Sequence, residues 1–251
     1  MGSFRVLIYG IMSSVFIYSL VYDIQMPRLG HVWWIYKLVA LTYINLVLQT
    51  VYYILCFICT LMDYHMEKKD CGPHTRHPST PSYWRNSKLH RICDFMYYTS
   101  AFPIGTATCL LFWILYSINP ALVMPPLAEE LIPRFLNHVT HTAPIFFIAV
   151  DTLLTCHQAP KRKTGFTVSS VLLVIYFSIL YFVRWYYGYW IYPMLQMLTI
   201  TQHIIFVAVS SVFFLSVYYI GDAINLLLWG KFLVFSVFNC FCTRFINHSA
   251  M

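Results

Sequence analysis

The chain has 251 residues, of which 59% are hydrophobic and only 10% are charged. Soluble domains carry about 25% charged residues, so this composition excludes a soluble globular protein and indicates a membrane protein. The net charge of +7 is not a nucleic-acid footprint, because the basic residues lie in loops between apolar segments. We therefore expect an all-α, polytopic membrane helix bundle.

Six segments have the length and apolar character of membrane-spanning helices, for which about 20 apolar residues are needed. They predict one transmembrane domain over residues 1–251. In chain order they are residues 6–22, 38–61, 95–118, 132–155, 166–185 and 198–228. No small-x-small cleavage site follows the first segment, which we therefore interpret as an uncleaved span. In the third segment, Pro103 and Gly105 predict a bend.

Two further segments carry most of the remaining polar residues. Residues 63–94 are rich in Pro, His, Lys and Arg without a helical apolar period, which predicts a cytosolic polar loop. Residues 230–251 form an aromatic tail that fits a cytosolic or interfacial helix, with a seventh span as the alternative. Because Lys and Arg concentrate in residues 63–94 and 161–163, the positive-inside rule places both termini in the cytosol.

Polar side chains interrupt two of the predicted spans. Residues 134–151 open with His138 and His141 and end at Asp151. An ionisable residue in hydrocarbon is costly and usually faces a bundle interior, a cavity or a site. The second span carries a polar stripe on one helical face at positions i, i+3 and i+7, namely Thr42, Asn45 and Gln49.

Both spans enter the membrane from its non-cytosolic side, which places Thr42 and His141 at a similar depth. At 1.5 Å per residue, each lies within roughly 10 Å of the same interface, and Asp151 lies about 15 Å deeper than His141. A Thr hydroxyl becomes a nucleophile when a base accepts its proton, and His is the usual base. The spacing is compatible with a hydroxyl–imidazole hydrolase. It is also compatible with hydrogen bonds between helices, which Asn, Gln and Thr commonly supply in membranes and which the spacing of the stripe alone favours.

The cysteines and remaining histidines predict neither a disulfide framework nor a metal site. Most of the eight cysteines lie in spans or in loops expected in the cytosol. The pattern Cys71-x2-His74-x2-His77, with His90-x2-Cys93 downstream, has zinc-binding residue types but fits no standard finger. We expect a solvated loop there, and no metal or cofactor. The Cys240-x-Cys242 pair in the tail also allows palmitoylation.

One motif places the chain beside a known family. The segment Leu136-Asn137-His138-x-x-His141-Thr142, with an acid ten residues after His141, resembles the androgen-induced gene 1 family, which includes the androgen-dependent TFPI-regulating protein. Other family-like pieces follow the same order between residues 38 and 230. They are Leu41-Thr42 with Asn45-Leu46-Val47 and Gln49, Ala101-Phe102-Pro103-x-Gly105, Trp190-x-Tyr192-Pro193, and Gly221-Asp222 with Asn225 and Trp229.

The resemblance implies a multi-pass membrane hydrolase with a threonine nucleophile. Its substrates are fatty acid esters of hydroxy fatty acids, which it cleaves to a fatty acid and a hydroxy fatty acid. The family's catalytic Thr and His correspond to Thr42 and His141, and His138 matches a preceding family His. This chain has Asn45 where some relatives carry Asp, which argues against an essential carboxylate there.

Several residues are candidates for supporting such a reaction. Asn45 and His138 are candidate oxyanion donors, and Gln49 and Asp151 are further supporting candidates. The expected partners are a lipid substrate and the membrane, without nucleic acid or cofactor. The chain is expected to be an integral protein of an endomembrane or the plasma membrane.

The same polar stripes also fit a non-catalytic membrane protein, which is the alternative to a hydrolase. A transporter or a lipid-binding regulatory protein would use them as helix contacts or as a permeation path. A Thr42 hydroxyl within about 3 Å of a His141 ring nitrogen, beside a closed lipid-shaped pocket, favours the hydrolase. A path open to both faces favours transport. A haem oxidoreductase is a third alternative and requires His pairs near both membrane faces.

Overall fold

The computed structural model describes residues 2–26, 37–70, 87–124 and 130–248, with the backbone alone at 67–70 and 231–248. Helices make up nearly all of these residues, and no strand occurs among them. The helices are α1 (Gly2–Gln25), α2 (Leu41–Asp70), α3 (Lys88–Met96), α4 (Phe102–Ile118), α5 (Arg134–His141), α6 (Ala143–Leu154), α7 (Arg162–Tyr187), α8 (Pro193–Gln196) and α9 (Ile200–His248). A π-helical segment, Tyr97–Ala101, joins α3 to α4.

Five of the predicted spans are helices that are long and apolar enough to cross a membrane. Their ranges are Gly2–Gln25, Leu41–Met66, Lys88–Ile118, Arg162–Tyr187 and Ile200–Gly230. The outer faces of α7 and α9 expose large apolar side chains, such as Val174 and Ile204 at 63% and 67%, which suits contact with lipid. The protein is therefore an all-α, polytopic bundle and a multi-pass integral membrane protein, as the composition predicts.

The fourth predicted span, residues 132–155, is two helices rather than one. Helix α5 ends at His141 and α6 begins at Ala143, with Thr142 between them outside the helical conformation at φ −126°. Pro144, near the start of α6, has no N–H and cannot serve as the helical partner of the Thr140 carbonyl. In an unbroken helix its ring would also clash with the carbonyl of residue i−4, which is Thr140. The break therefore follows from one proline, and it lies directly beside His141.

A second proline shapes the third span. Pro103 follows the π-helical segment and removes the helical donor for the Thr99 carbonyl. That carbonyl accepts a hydrogen bond from Ser169 Oγ of α7 at 3.4 Å instead. The irregularity expected at Pro103 is thus a π-helical turn, a feature often found at functional sites.

The bundle core is rich in aromatic rings shared between α1, α2 and α6. Phe16 of α1 stacks on Tyr53 of α2 with ring centroids 5.4 Å apart, and Phe147 of α6 meets both rings edge-on. Helix α4 packs against α2, α6 and α9. This arrangement holds α2, α4 and the broken fourth span together, and these are the elements that carry the candidate site.

Helices extend into both the predicted polar loop and the tail. Helix α2 continues to Asp70 and α3 begins at Lys88, so both ends of the predicted loop at 63–94 are helical. Residues 71–86 lie outside the described residues. Helix α9 continues without interruption to His248, so the backbone of the tail is helical as far as that residue.

Candidate active site

Thr42 and His141 lie in direct contact. The Thr42 Oγ1 and the His141 Nε2 are 3.0 Å apart, a hydrogen-bond distance between residues separated by 99 positions in the chain. Thr42 is the second residue of α2 and His141 is the last residue of α5. His141 is buried and Thr42 is half-buried, so the pair is screened from bulk solvent without being sealed off.

Helix α4 fixes the position of the His141 ring and backbone. The Phe112 ring stacks on the imidazole with centroids 3.6 Å apart and planes 15° from parallel. Trp113 donates its indole N–H to the His141 carbonyl at 2.9 Å. Because α5 ends here, this carbonyl needs such a partner, and the indole supplies it. The helix break therefore exposes backbone groups that the neighbouring span uses to hold the histidine.

The opposite ring nitrogen of His141 contacts groups of its own helix. Nδ1 lies 2.8 Å from Asn137 Oδ1 and 3.1 Å from the Asn137 backbone oxygen. A backbone oxygen accepts hydrogen bonds and cannot donate them, so the proton of the neutral ring belongs on Nδ1. Nε2 is then free to accept the hydroxyl proton of Thr42. This is the protonation pattern that a general base needs.

Asn45 and Gln49 continue the stripe below Thr42 but are committed to other partners. Asn45 Nδ2 lies 3.5 Å from the Thr140 carbonyl, the one that Pro144 leaves without a helical donor. Gln49 donates to Asn45 Oδ1 at 3.1 Å and to the Ala101 carbonyl at 2.9 Å. Both side chains are fully buried. They join the irregular points of the third and fourth spans to α2 and so fix the depth of Thr42.

Gly105 offers a test of this packing. A Cβ at this position would lie 2.5 Å from Gln49 Nε2 and 2.6 Å from Ile148 Cδ1, both closer than contact allows. We expect Gly105→Ala to destabilise the protein by about 1–3 kcal/mol, as overpacking commonly does. The matched control is Gly10→Ala, where the nearest atom is a Phe57 ring carbon at 3.2 Å. Equal melting temperatures for the two variants in detergent would contradict the packing described.

His138 lies beside the pair without touching it. Its Nδ1 is 3.2 Å from Thr142 Oγ1, and its ring lies 5.9 Å from that of Trp113. The side chain is exposed. The structure thus places His138 on the rim, next to the helix break, whereas His141 faces the interior.

Asp151, one of the supporting candidates, belongs to a different cluster. It is fully buried between α1 and α2, where Tyr9 and Tyr52 donate hydroxyl hydrogen bonds to its two oxygens. His157 Nε2 lies 3.3 Å away. Tyr52 follows Thr42 by ten residues on α2, which is about 15 Å of helix. Asp151 therefore does not contact the Thr42–His141 pair.

This second cluster, here called the ionic cluster, consists of Arg5, Asp63, His90, Asp94, Asp151 and His157. His157 lies between two carboxylates, with Nδ1 3.0 Å from Asp94 and Nε2 towards Asp151, and its ring stacks on Tyr97. His90 pairs with Asp63 at 3.1 Å. The cluster lines a cavity of about 20 Å³, room for about one water molecule. Its ion pairs link α1, α2, α3, α6 and the segment after α6.

Five cysteines of the described residues are not in disulfide bonds. They are Cys56, Cys59, Cys93, Cys109 and Cys156. Cys59 and Cys93 have sulfur atoms 3.6 Å apart beside the ionic cluster. Cys71, His74 and His77 of the suggested zinc pattern lie outside the described residues, as do the side chains of Cys240 and Cys242. Within the described ranges, no group of three or more His, Cys, Asp or Glu residues is arranged to hold a metal ion.

A larger cavity lies on the outer side of the bundle. It has a volume of about 350 Å³ and runs between α7 and α9, lined by Phe177, Tyr181 and Val207 among others. Neither this cavity nor the small one at the ionic cluster borders Thr42 or His141. The expected contact between Thr42 and His141 is thus present. Neither of these two cavities is the acyl pocket that the hydrolase hypothesis expects beside it.

Sequence reasoning missed several residues that contact the site. Asn137 precedes His141 by four positions and so shares its helical face, a signal that was present in the sequence. Phe112 and Trp113 come from another span and carry no pattern that distinguishes them from lipid-facing aromatics. His157 and Asp94 are 63 residues apart, and nothing in the sequence pairs them.

The sequence is similar to known proteins over most of its length. A family model described as FAR-17a/AIG1-like protein matches residues 4–226. The androgen-dependent TFPI-regulating protein of Homo sapiens is 30% identical over 190 residues, 76% of each chain. The androgen-induced gene 1 protein of Homo sapiens is 30% identical over 189 residues, 75% of this chain and 76% of the relative. No solved structure matches the chain.

Proposed function

Because the chain belongs to the FAR-17a/AIG1-like family, we propose that it is a membrane lipid ester hydrolase in which Thr42 is the nucleophile and His141 the base. The single observation that supports this most strongly is the 3.0 Å contact between Thr42 Oγ1 and His141 Nε2. A structural hydrogen bond between helices needs no particular tautomer. Here the Nδ1 contacts leave Nε2 unprotonated and directed at a hydroxyl, as nucleophile activation requires.

The reaction proceeds in two halves. In the first, His141 Nε2 takes the Thr42 proton while Oγ1 attacks the ester carbonyl carbon to give a tetrahedral intermediate. The carbon–oxygen bond to the alcohol then breaks, and the alcohol oxygen takes the proton from His141, which leaves an acyl-threonine. In the second half, His141 removes a proton from water, the hydroxide attacks the acyl carbon, and Thr42 recovers its proton as the acid departs.

The start of α2 supplies the electrostatic part of catalysis. Thr42 lies in the first helical turn, where backbone N–H groups lack helical acceptors and the helix dipole is positive. One of these groups, the Leu41 N–H, already donates to Tyr192 Oη at 2.9 Å. The Tyr43 and Ile44 N–H groups donate to the Ala40 carbonyl at 3.0 and 3.1 Å. The Thr42 N–H is therefore the candidate donor to the negatively charged oxygen of the intermediate, and one such donor is typically worth about 10²–10³ in rate. Asn45 and Gln49 are committed elsewhere, so we assign the oxyanion to the backbone.

The surroundings of the pair favour a lipid substrate. The Phe112 ring stacks on the imidazole, and the bundle exposes apolar surface along its length. Such a site suits an ester whose two sides are both hydrocarbon chains. The family resemblance narrows this class to fatty acid esters of hydroxy fatty acids, which yield a fatty acid and a hydroxy fatty acid.

The test combines hydrolysis with covalent labelling. Purified protein in detergent is assayed on a panel of lipid esters, including esters of hydroxy fatty acids, and is separately treated with a fluorophosphonate. We expect ester cleavage, and mass spectrometry should locate the phosphonate on the peptide that contains Thr42. Haem chemistry predicts a visible absorption band, and transport predicts substrate movement without cleavage. Phosphonate bound to a different residue would refute the assignment of Thr42.

A further inference from the structure

Asn137 is the side chain in closest contact with the far edge of the His141 ring. We propose that Asn137 is a positioning residue that orients His141 towards Thr42, which completes a threonine–histidine–asparagine arrangement. This inference rests on the proposed function and deepens it. Its geometric basis is the 2.8 Å distance from Asn137 Oδ1 to His141 Nδ1, on the side of the ring opposite Thr42.

The contacts at Nδ1 divide into two roles. The Asn137 backbone oxygen, 3.1 Å away, accepts only and fixes the proton on Nδ1 by itself. The side-chain oxygen is closer and sets the direction of the ring within its plane. Thr140 Oγ1, also 3.0 Å from Nδ1, is held by the Leu136 and Asn137 carbonyls, to which it donates. The Asn137 side-chain oxygen is therefore the acceptor that a substitution can remove, whereas the backbone oxygen is present whichever residue occupies position 137.

Tilting of the ring is restricted on one of its faces. The Phe112 ring covers that face at 3.6 Å between centroids, which leaves turning within the plane of the imidazole to be restrained by its hydrogen-bond partners. Turning in the plane moves Nε2 away from Thr42 Oγ1. Asn137 and Thr42 hold the two opposite nitrogens of the ring, and together they prevent this motion. The amide also stabilises the imidazolium formed during each half-reaction, because the hydrogen bond from Nδ1–H to its oxygen is stronger when the ring is charged.

The groups that face His141 make it suitable for a pH measurement. Helix α2 presents Thr42, and α4 presents Phe112, neither of which ionises near neutral pH. His138, one turn earlier on α5, is the titratable neighbour among the described residues. A His138→Gln background removes its titration from the profile.

The test compares Asn137→Ala with Asn137→Asp. We expect Asn137→Ala to lower kcat/KM roughly 10-fold to 100-fold. This is less than the 10⁴-fold loss seen when a histidine loses its correct tautomer, because the backbone oxygen remains. Asn137→Asp keeps an acceptor in place and adds a negative charge. It should restore much of the rate and move the acidic limb of the pH–rate profile to higher pH, since the base must be neutral to act.

A readout independent of catalysis separates this inference from the proposed function. NMR of protein with ¹³C- and ¹⁵N-labelled histidine, in which His141→Gln identifies its signals, reports the tautomer and titration midpoint of His141. The Nδ1–H tautomer and a shifted midpoint in Asn137→Asp support the positioning role even if no ester is cleaved. An unshifted midpoint in Asn137→Asp, or wild-type kcat/KM in Asn137→Ala, overturns it. Absence of cleavage and labelling in the wild type refutes only the proposed function.

Discussion

Thr42→Val and His141→Ala should each lower kcat/KM for lipid ester hydrolysis by about 10⁴-fold or more, and the double variant should be no worse than either single one. Residues that act as one nucleophile–base unit lose nearly the whole effect when either is removed, so their losses do not add. Valine keeps the branched shape of threonine and removes only the hydroxyl. The comparison therefore isolates the proton transfer across the 3.0 Å contact.

Thr42→Ser is the matched control for this prediction, because serine retains the hydroxyl at the start of α2. It should keep measurable hydrolysis and fluorophosphonate labelling, whereas Thr42→Val should show neither. Gel filtration in detergent establishes that each variant is folded. Losses that multiply in the double variant would mean that the two residues act independently, which is incompatible with a shared proton.

Removal of the buried carboxylate at Asp151 should produce the largest loss of stability, about 3–5 kcal/mol for Asp151→Leu. The change removes the carboxylate that pairs with His157 Nε2. It also removes the acceptor of the Tyr9 and Tyr52 hydroxyls. Buried pairs that lose one member typically cost this much, because the remaining charge and polar groups stay desolvated. The apparent Tm in detergent should fall by roughly 10 °C.

The pH dependence of this loss has a definite sign. Burial lowers the pKa of His157, but the Asp151 and Asp94 carboxylates outweigh burial, so its pKa lies above the usual value. A raised pKa means that the ion pair contributes fully below about pH 6.5, the usual pKa of unfolded His, and is lost as pH rises through the folded value. The Tm difference between wild type and Asp151→Leu should shrink over that range.

Two further measurements separate stability from catalysis at Asp151. A cycle with His157→Leu should show that the two losses are not additive, since the residues share one interaction. The labelling rate per folded molecule should match the wild type, because Asp151 lies about 15 Å along the bundle from Thr42. A tenfold drop in that labelling rate would mean that Asp151 contributes to the reactivity of Thr42.

The fold class and the proximity of Thr42 to His141 were both accessible from sequence, for physical reasons. A chain with 10% charged residues has to bury its backbone polar groups within helices if it is to lie in lipid. The position of Thr42 and His141 near the starts of their predicted spans was enough to place them at one depth. That estimate needs only the helical rise, which is the same in every helix.

The features that escaped prediction depend on contacts between distant residues. The continuous hydropathy of residues 132–155 predicts one span, although Pro144 indicates a break. The partners of Asp151 come from α1, α2 and the segment after α6, which no periodicity links. The helical rise therefore separates Asp151 from His141 by about 15 Å, but no sequence pattern assigns Asp151 to its own cluster.

The position of Thr42 at the second residue of α2 gives the proposed reaction a direction. The apolar length of α2, Leu41–Met66, crosses the membrane, so the nucleophile lies at one of its two surfaces. An ester cleaved there is drawn from a single leaflet, and both acids are released into that same leaflet. Lipid in the opposite leaflet reaches the site only by flip-flop. Such an enzyme therefore makes the membrane asymmetric each time it turns over.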